Sequence, residues 1–189
     1  MTGRRTVFGP AVGDEILRKI LRLQAQNLRQ YLTAEQQAAQ GFVTFRYDLD
    51  LLREMNDALP HVVALRGDEL AGYALSTTGA ICRKNGLLRP LVERLDAMAL
   101  DGRPFPEIPY YAIGQVCVAE AFRGQGVFDG LYQTHRARYA GRFDAVVTEI
   151  SVHNTRSMAA HHRVGFRVID EMPDGPDRWA LVVWDWTHD

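Results

Sequence analysis

The segment Val116-Cys-Val-Ala-Glu-Ala-Phe-Arg-Gly-Gln-Gly-Val-Phe128 holds the residue types and spacing best suited to chemistry. It places an Arg-Gly-Gln-Gly loop, Arg123 to Gly126, between a predicted strand and a predicted helix. Two glycines let the backbone turn sharply and come close to a ligand. The first turn of the helix then offers unpaired N–H groups and the positive end of the helix dipole, a combination that attracts phosphate. Two nucleotide-binding fingerprints fit poorly. A Walker loop needs GxxxxGK[ST], and no lysine is near. A dinucleotide GxGxxG begins at Gly124 and Gly126 but meets Asp129 where the third glycine belongs, and Gly130 comes one position late. Asp144 precedes its strand, whereas a ribose-binding acid would end it.

The elements around this loop are legible from periodicity. Apolar residues from Asp14 to Tyr31, including Ile16, Ile20, Leu23 and Leu28, recur at helical spacing with Asp14 as a candidate cap. A shorter helix is predicted from about Asp50 to Leu59, stopped by Pro60. His61 to Arg66 and Leu70 to Thr77 read as a hairpin across Gly67-Asp68-Glu69. Gly79 to Pro109 reads as an insertion, with a helix over Leu87 to Leu100 and an extended or irregular stretch from Arg103 to Pro109. Tyr110 to Val118 is a predicted strand, Val127 to about Ala140 a helix, Ala145 to Val152 a strand and Asn154 to Val164 a helix. Strands near Phe166 to Glu171 and Trp179 to Trp186 close the chain, joined by the turn Pro173-Asp-Gly-Pro176. The expectation is an α/β (α+β) fold, a central mixed sheet flanked by helices, in one domain spanning 1–189 with a helical insertion at about 79–109.

On these elements the loop segment resembles the acyl-CoA-binding motif of the GNAT family, the Gcn5-related N-acetyltransferases, written [RQ]-x-x-G-x-[GA]. Arg123, Gly124, Gln125, Gly126 and Val127 match it, and Phe128 stands where Gly or Ala is usual. Asn154, followed eleven residues later by Gly165-Phe166, resembles the family's second signature. The resemblance is clearest from Tyr110 to Phe166, extends to Val62–Thr77 and the closing strands, and does not include the insertion. It implies a mostly antiparallel sheet with two splayed central strands, and acetyl-CoA as co-substrate without a metal. Backbone N–H groups of Gln125 to Phe128 would cradle a pyrophosphate. Val116, Cys117 and Val118 would pair strand-like with the pantetheine arm, and a backbone N–H near Val118 would polarise the thioester carbonyl. Asn154 would bond the pantetheine amides, and Arg123 and Arg156 would add charge near the phosphates.

Each role has a plainer alternative. The glycines serve a turn, Arg123 is a solvated charge, and Asn154 caps its helix, a role compatible with cofactor contact. For catalysis, many family members have Tyr seven residues after the Asn, and His161 holds that position here; an imidazole is a candidate proton donor to the thiolate or a packed core group. Glu149 on its strand is the candidate general base, or a strand Glu paired with an arginine. Cys117 as an acyl-carrying nucleophile lacks an evident base. Gln115 and Cys117 alternate with Val116 and Val118, and periodicity does not say which pair faces the cleft. Tyr31, Tyr73, Tyr110 and Tyr111 are expected near the acceptor mouth. The insertion is a binding element or, through Leu88, Leu91, Leu95 and Met98, a face for a second copy in a homodimer.

Composition bounds these readings. The chain has 189 residues, 47% hydrophobic and 24% charged, with net charge −1, which suits one globular domain and argues against a nucleic-acid binder. Arg4 and Arg5 are followed by no leader-like apolar stretch, and Trp179–Trp184 is too short to cross a membrane. Two cysteines 35 positions apart exclude a disulfide scaffold and fit a reducing cytoplasm. The function expected is an N-acetyltransferase acting on a primary amine of a small molecule or peptide by direct attack in a ternary complex. The rival is a non-catalytic acyl-CoA-binding or regulatory module.

Overall fold

The structure is a computed structural model that describes residues 5–175 and 177–187; Arg4 and Pro176 fall outside them. The chain opens with β1 (Val7–Pro10) and α1 (Gly13–Asn27), then a 3-10 turn at Arg29–Tyr31 and α2 (Ala34–Gln40). Next come α3 (Leu49–Ala58), β2 (Val62–Arg66) and β3 (Glu69–Thr77). The insertion contains α4 (Gly79–Lys84), α5 (Arg89–Asp96) and a small hairpin of β4 (Ala99–Leu100) and β5 (Arg103–Pro104). The remainder is β6 (Tyr110–Val118), α6 (Val127–Tyr139), β7 (Ala145–Ser151), α7 (Thr155–Val164), β8 (Arg167–Asp174) and β9 (Asp177–Asp185).

Seven strands form one sheet in the order β1-β2-β3-β6-β7-β9-β8. Among the described residues β6 and β7 pair in parallel and every other neighbouring pair runs antiparallel. The two faces of the sheet carry different layers. On one, Val127, Leu131 and Tyr132 of α6 pack with Tyr111, Val146, Ile150 and Trp184. On the other, α1 and α3 cover the first strands through Ile20, Leu52 and Met55, while Leu91 and Leu95 of α5 cover Ala145, Val147, Leu181 and Val183. Side chains alternate across a strand, so Val146 and Ile150 of β7 face α6, and Ala145, Val147 and Glu149 face the insertion.

Several expectations are corrected. The first helix stops at Asn27, not Tyr31, because the Asn27 carbonyl accepts the Val43 amide at 2.9 Å and Leu28 pairs with Val43. Asp14 lies in the first turn, behind Val12 at the cap position, and its carboxylate binds Arg53. The strand β1 and the helix α2 have no counterpart in the periodicity reading. The helix expected over Leu87 to Leu100 is the shorter α5, which ends at Asp96, and α4 before it has no counterpart in the periodicity reading. Its apolar face is not free for a second copy, since Leu88, Leu91 and Leu95 are buried within the chain. The turn after Pro173 is described through Gly175, which takes φ +56° as Asp174 pairs with Asp177.

The sheet also prepares an opening. Pairing between β6 and β7 runs from Tyr110–Ala145 to Ala112–Val147 and ends there. β6 then continues with β3 to Val118, and β7 with β9 to Ser151. A bulge at Gly114, where Ile113 pairs with Ser76 but Gln115 with Leu75, turns β6 away at the fork. A Cβ on Gly114 would lie 2.5 Å from the Tyr47 hydroxyl, which donates to the Gly114 carbonyl at 3.0 Å. At the apex Thr148 Oγ1 bonds the Ile113 carbonyl at 2.8 Å.

Candidate active site

A cavity of about 460 Å³ lies on the α6 side of this opening, walled by the Gly124–Gly126 loop, Val116–Val118 and Asn154. A smaller recess of about 80 Å³ is walled by Glu149, Trp179 and Phe45, with Leu87, Leu88 and Leu91 from the insertion. Phe42, Val43, Val116, Asn154 and Ser157 line both, so the two meet at the fork.

The glycine loop is built as an anion cradle. Gly124 and Gly126 adopt φ +70° and +76°, and nothing lies within 4 Å of where a Cβ would stand on either. Gly126 is the N-cap of α6, whose first internal bond is the Gly130 amide to the Gly126 carbonyl at 2.9 Å. The amides before Gly130 therefore precede any intrahelical acceptor. The loop is braced from outside: Gln125 accepts from Arg66 at 2.8 Å and donates to the Ala121 carbonyl at 2.8 Å. Val127 is buried under the loop, and Phe128 packs on Tyr132 and His161. Open space above two left-handed glycines at a helix head fits a diphosphate.

The strand beside it fits an extended arm. The Ala119 amide bonds the Ala71 carbonyl at 2.9 Å, so by antiparallel alternation Cys117 is also turned toward β3. The amides of Val116 and Val118 then point into the opening. Their side chains pack toward α6, while Gln115 and Cys117 face the other layer, which answers the question that periodicity left open. Gln115 accepts from Tyr73 at 2.6 Å and donates to the Phe45 carbonyl at 2.8 Å. Burial pushes the Cys117 thiol up to about 12, so it is no nucleophile at neutral pH.

Three side chains expected to meet a cofactor instead fasten the segment from Asn27 to Phe42 across the cavity. Arg123 donates to the Val118 carbonyl at 3.1 Å, Gln40 at 2.9 Å and Asn27 at 2.7 Å, which engages Nε, Nη1 and Nη2 inside the protein. Asn154 caps α7 by accepting the Ser157 amide at 3.2 Å, and its Nδ2 donates to the Phe42 carbonyl at 3.0 Å. Arg156 donates to the Ala39 carbonyl at 2.8 Å. Beyond it Arg163, paired with Asp129 at 2.8 Å, adds a rim charge that the sequence reading did not single out.

His161 packs against Phe128 and Tyr132 of α6 while Glu149 faces the insertion, and both border the recess at the fork. His161 is buried, with Nδ1 2.8 Å from the Ser157 carbonyl and Nε2 2.7 Å from the Tyr132 hydroxyl. A carbonyl only accepts, so Nδ1 carries the proton and Nε2 accepts from Tyr132. Burial holds this histidine down at about 4. The expectation of a proton donor to a thiolate is therefore corrected: the ring is neutral and both nitrogens are engaged. Glu149 faces the recess and the insertion, with Oε1 3.4 Å from Arg94 Nη1. Burial raises its pKa, opposed by the Arg94 charge.

None of the four tyrosines expected at the mouth lines either cavity. Tyr73 and Tyr111 are fully buried and Tyr31 is 63% exposed. Residues that do shape the site, Tyr47, Gly114, Phe45, Trp179 and Arg94, gave no sequence signal, because each acts through a distant segment. One signal was readable: Thr33 and Gln36 form a capping box, the spacing that starts α2.

A helix-head anion cradle beside two parting strands, with a half-buried carboxylate beyond the gap, has room for a phosphate-bearing donor on one side of the sheet and a second molecule on the other. The chain belongs to the acetyltransferase (GNAT) family, whose model matches residues 23–166. The fold is shared with a chain of the NatC complex bound to Gag peptide and CoA, at 14% identity and TM-score 0.66, covering 97% of this chain and 99% of that one. It is also shared with Arabidopsis thaliana NAA60 in complex with acetyl-CoA, at 13% identity and TM-score 0.66, covering 96% and 99%. The Salmonella typhimurium acetyltransferase yncA with acetyl-CoA aligns at 18% identity and TM-score 0.58, covering 97% and 95%. At these identities the likeness is one of fold. No curated protein matches the chain in sequence.

Proposed function

We propose that this protein transfers an acetyl group from acetyl-CoA to the primary amine of a small molecule or an amino-terminal residue, by direct attack in a ternary complex. The observation that carries the reading is the fork between β6 and β7, which joins the glycine cradle on one side to a recess holding Glu149 on the other. Acetyl-CoA supplies an activated thioester. The amides of Gln125 to Phe128 hold its diphosphate, and the Val116 and Val118 amides meet the extended arm, the latter oriented to polarise the reacting carbonyl. Glu149 accepts the proton that the amine sheds as its nitrogen bonds the acyl carbon and the carbon–sulfur bond breaks. The departing sulfur leaves as thiolate and takes its proton from water, so no buried acid is required. His161 keeps Tyr132 and the start of α7 in place beneath the fork.

Asn154 and Arg156 contribute by exchanging their bonds to Phe42 and Ala39 for bonds to the cofactor. Arg123 stays in the cavity wall, with one donor of each guanidinium nitrogen bound inside the protein, and lends charge there. Two free, buried thiols support placement in a reducing cytoplasm. The test is calorimetry with acetyl-CoA followed by free-thiol release against a panel of amines. Binding with turnover on at least one amine is expected. Absence of binding overturns the reading, and binding without turnover on any amine makes the protein a CoA-binding module.

A further inference from the structure

Glu149 does not stand alone: the insertion reaches it. Arg94 projects from α5 with its side chain 9% exposed, and Nη1 lies 3.4 Å from Glu149 Oε1. On its other side Nε donates to Asp170 Oδ2 at 2.8 Å, with Nη2 2.7 Å from the same oxygen. One guanidinium is thus divided between a carboxylate on β8, 42% exposed, and a carboxylate on β7 that faces the acceptor recess. Leu91 and Leu95, three and one residues from it on the chain, are buried against β7 and β9, so the height of the guanidinium over the sheet is set by core packing.

We propose that Arg94 is a positioning residue for Glu149 and that its division between Glu149 and Asp170 keeps Glu149 ionised yet free to take a proton. The insertion is in this way part of the active centre. The inference rests on Glu149 being the general base. Its physics is a balance between two failures. A carboxylate buried without a partner would stay protonated and accept nothing. One clamped by a bidentate arginine would be a poor base held away from the amine. The shorter contacts to Asp170 draw the guanidinium off, leaving Glu149 one long contact.

The charged and titratable groups around Glu149 are consistent with Arg94 setting this balance. From β8, Asp174 opposes the ionisation of Glu149, and Asp170 is the second carboxylate on Arg94. From α4 the Cys82 thiol is buried and neutral. From α7, His161 borders the recess but is neutral, as shown above. Arg94 on α5 is the favourable charge.

The test titrates the side-chain carboxyl of Glu149 by carbon NMR in the cofactor-free protein, together with the pH profile of kcat/KM, in three variants, with Glu149→Gln read by turnover alone. In Arg94→Met the Glu149 midpoint and the acid limb of the profile both move up by about 1 pH unit or more, the size expected when an opposite charge within 4–6 Å is lost. Arg94→Lys restores most of the shift. Asp170→Asn, on a half-exposed residue, frees Arg94 for Glu149 and moves both midpoints down. Since these last two keep a cation or a polar isostere in place, they decide the matter even if Arg94→Met does not fold. An unmoved carboxyl midpoint in the Arg94 and Asp170 variants overturns the inference. Undiminished turnover in Glu149→Gln overturns the base reading instead, so the two failures are separately visible.

Discussion

Replacing Gly126 by alanine separates a turn glycine from a ligand-receiving one. Gly126 sits at φ +76°, where an alanine costs about 1–2 kcal/mol in backbone strain. In a domain of this size each 1 kcal/mol lowers Tm by roughly 2–4 °C, so a fall of about 2–8 °C is expected. The new methyl meets no protein atom, since nothing lies within 4 Å of that Cβ position. Its direction is instead the space that an anion must enter to reach the amides at the head of α6. Losing one charge-assisted bond there, worth about 1.5–3 kcal/mol, weakens CoA binding by roughly 10- to 100-fold. Gly175→Ala is the matched control. It is also left-handed, at φ +56°, and its Cβ position is also open, but it lies in the β8–β9 turn away from the cavity. Both variants should melt earlier by similar amounts, and only Gly126→Ala should lose affinity by calorimetry. Equal affinities in the two variants would refute the cradle and leave Gly126 as a turn residue.

Other consequences follow from the same geometry. Glu149→Gln should lower kcat by about 10²–10⁴-fold, measured by thiol release, while CoA affinity changes less than threefold by calorimetry. Asn154→Ala removes both the α7 cap and the bond to Phe42, and hydrogen exchange should rise across α2 and Gly41–Phe42 while β7 stays protected. Gly114→Ala forces a Cβ to 2.5 Å from the Tyr47 hydroxyl and should destabilise the fold by about 1–3 kcal/mol in urea titrations, whereas Tyr47→Phe combined with it should recover part of the loss. His61 and His161 are each held down at about 4 in the folded protein, against about 6.5 unfolded. The unfolded chain therefore binds these protons first; the stability is present above about pH 6.5 and is lost as pH falls toward 4, by about 3 kcal/mol for each histidine. Urea midpoints flat between pH 7 and 4.5 would contradict their buried neutral state.

What the residues alone determine here is local. Left-handed glycines at 124 and 126, a helix beginning at Val127, the Asn154 cap and the strand Tyr110–Val118 all follow from short-range backbone preferences, and they sit where the sequence places them. The capping spacing Thr33 to Gln36 belongs to the same kind of information. What tertiary structure decided is every question of direction. The bulge at Gly114 sets which side of β6 carries Val116 and Val118, and a glycine stands there with the hydroxyl of Tyr47, sixty-seven residues earlier, in the space a Cβ would take. His161 matches a motif position yet is neutral, because Tyr132 and Ser157 occupy its two nitrogens in a buried site. Arg123 matches another, but Asn27 and Gln40 arrive from the far end of the chain to engage it. The apolar stripe of the insertion read equally as a second-copy interface, and only the sheet it covers shows that it was core. A sequence records which groups are present, while their charge state and free hydrogen bonds depend on partners brought near by folding.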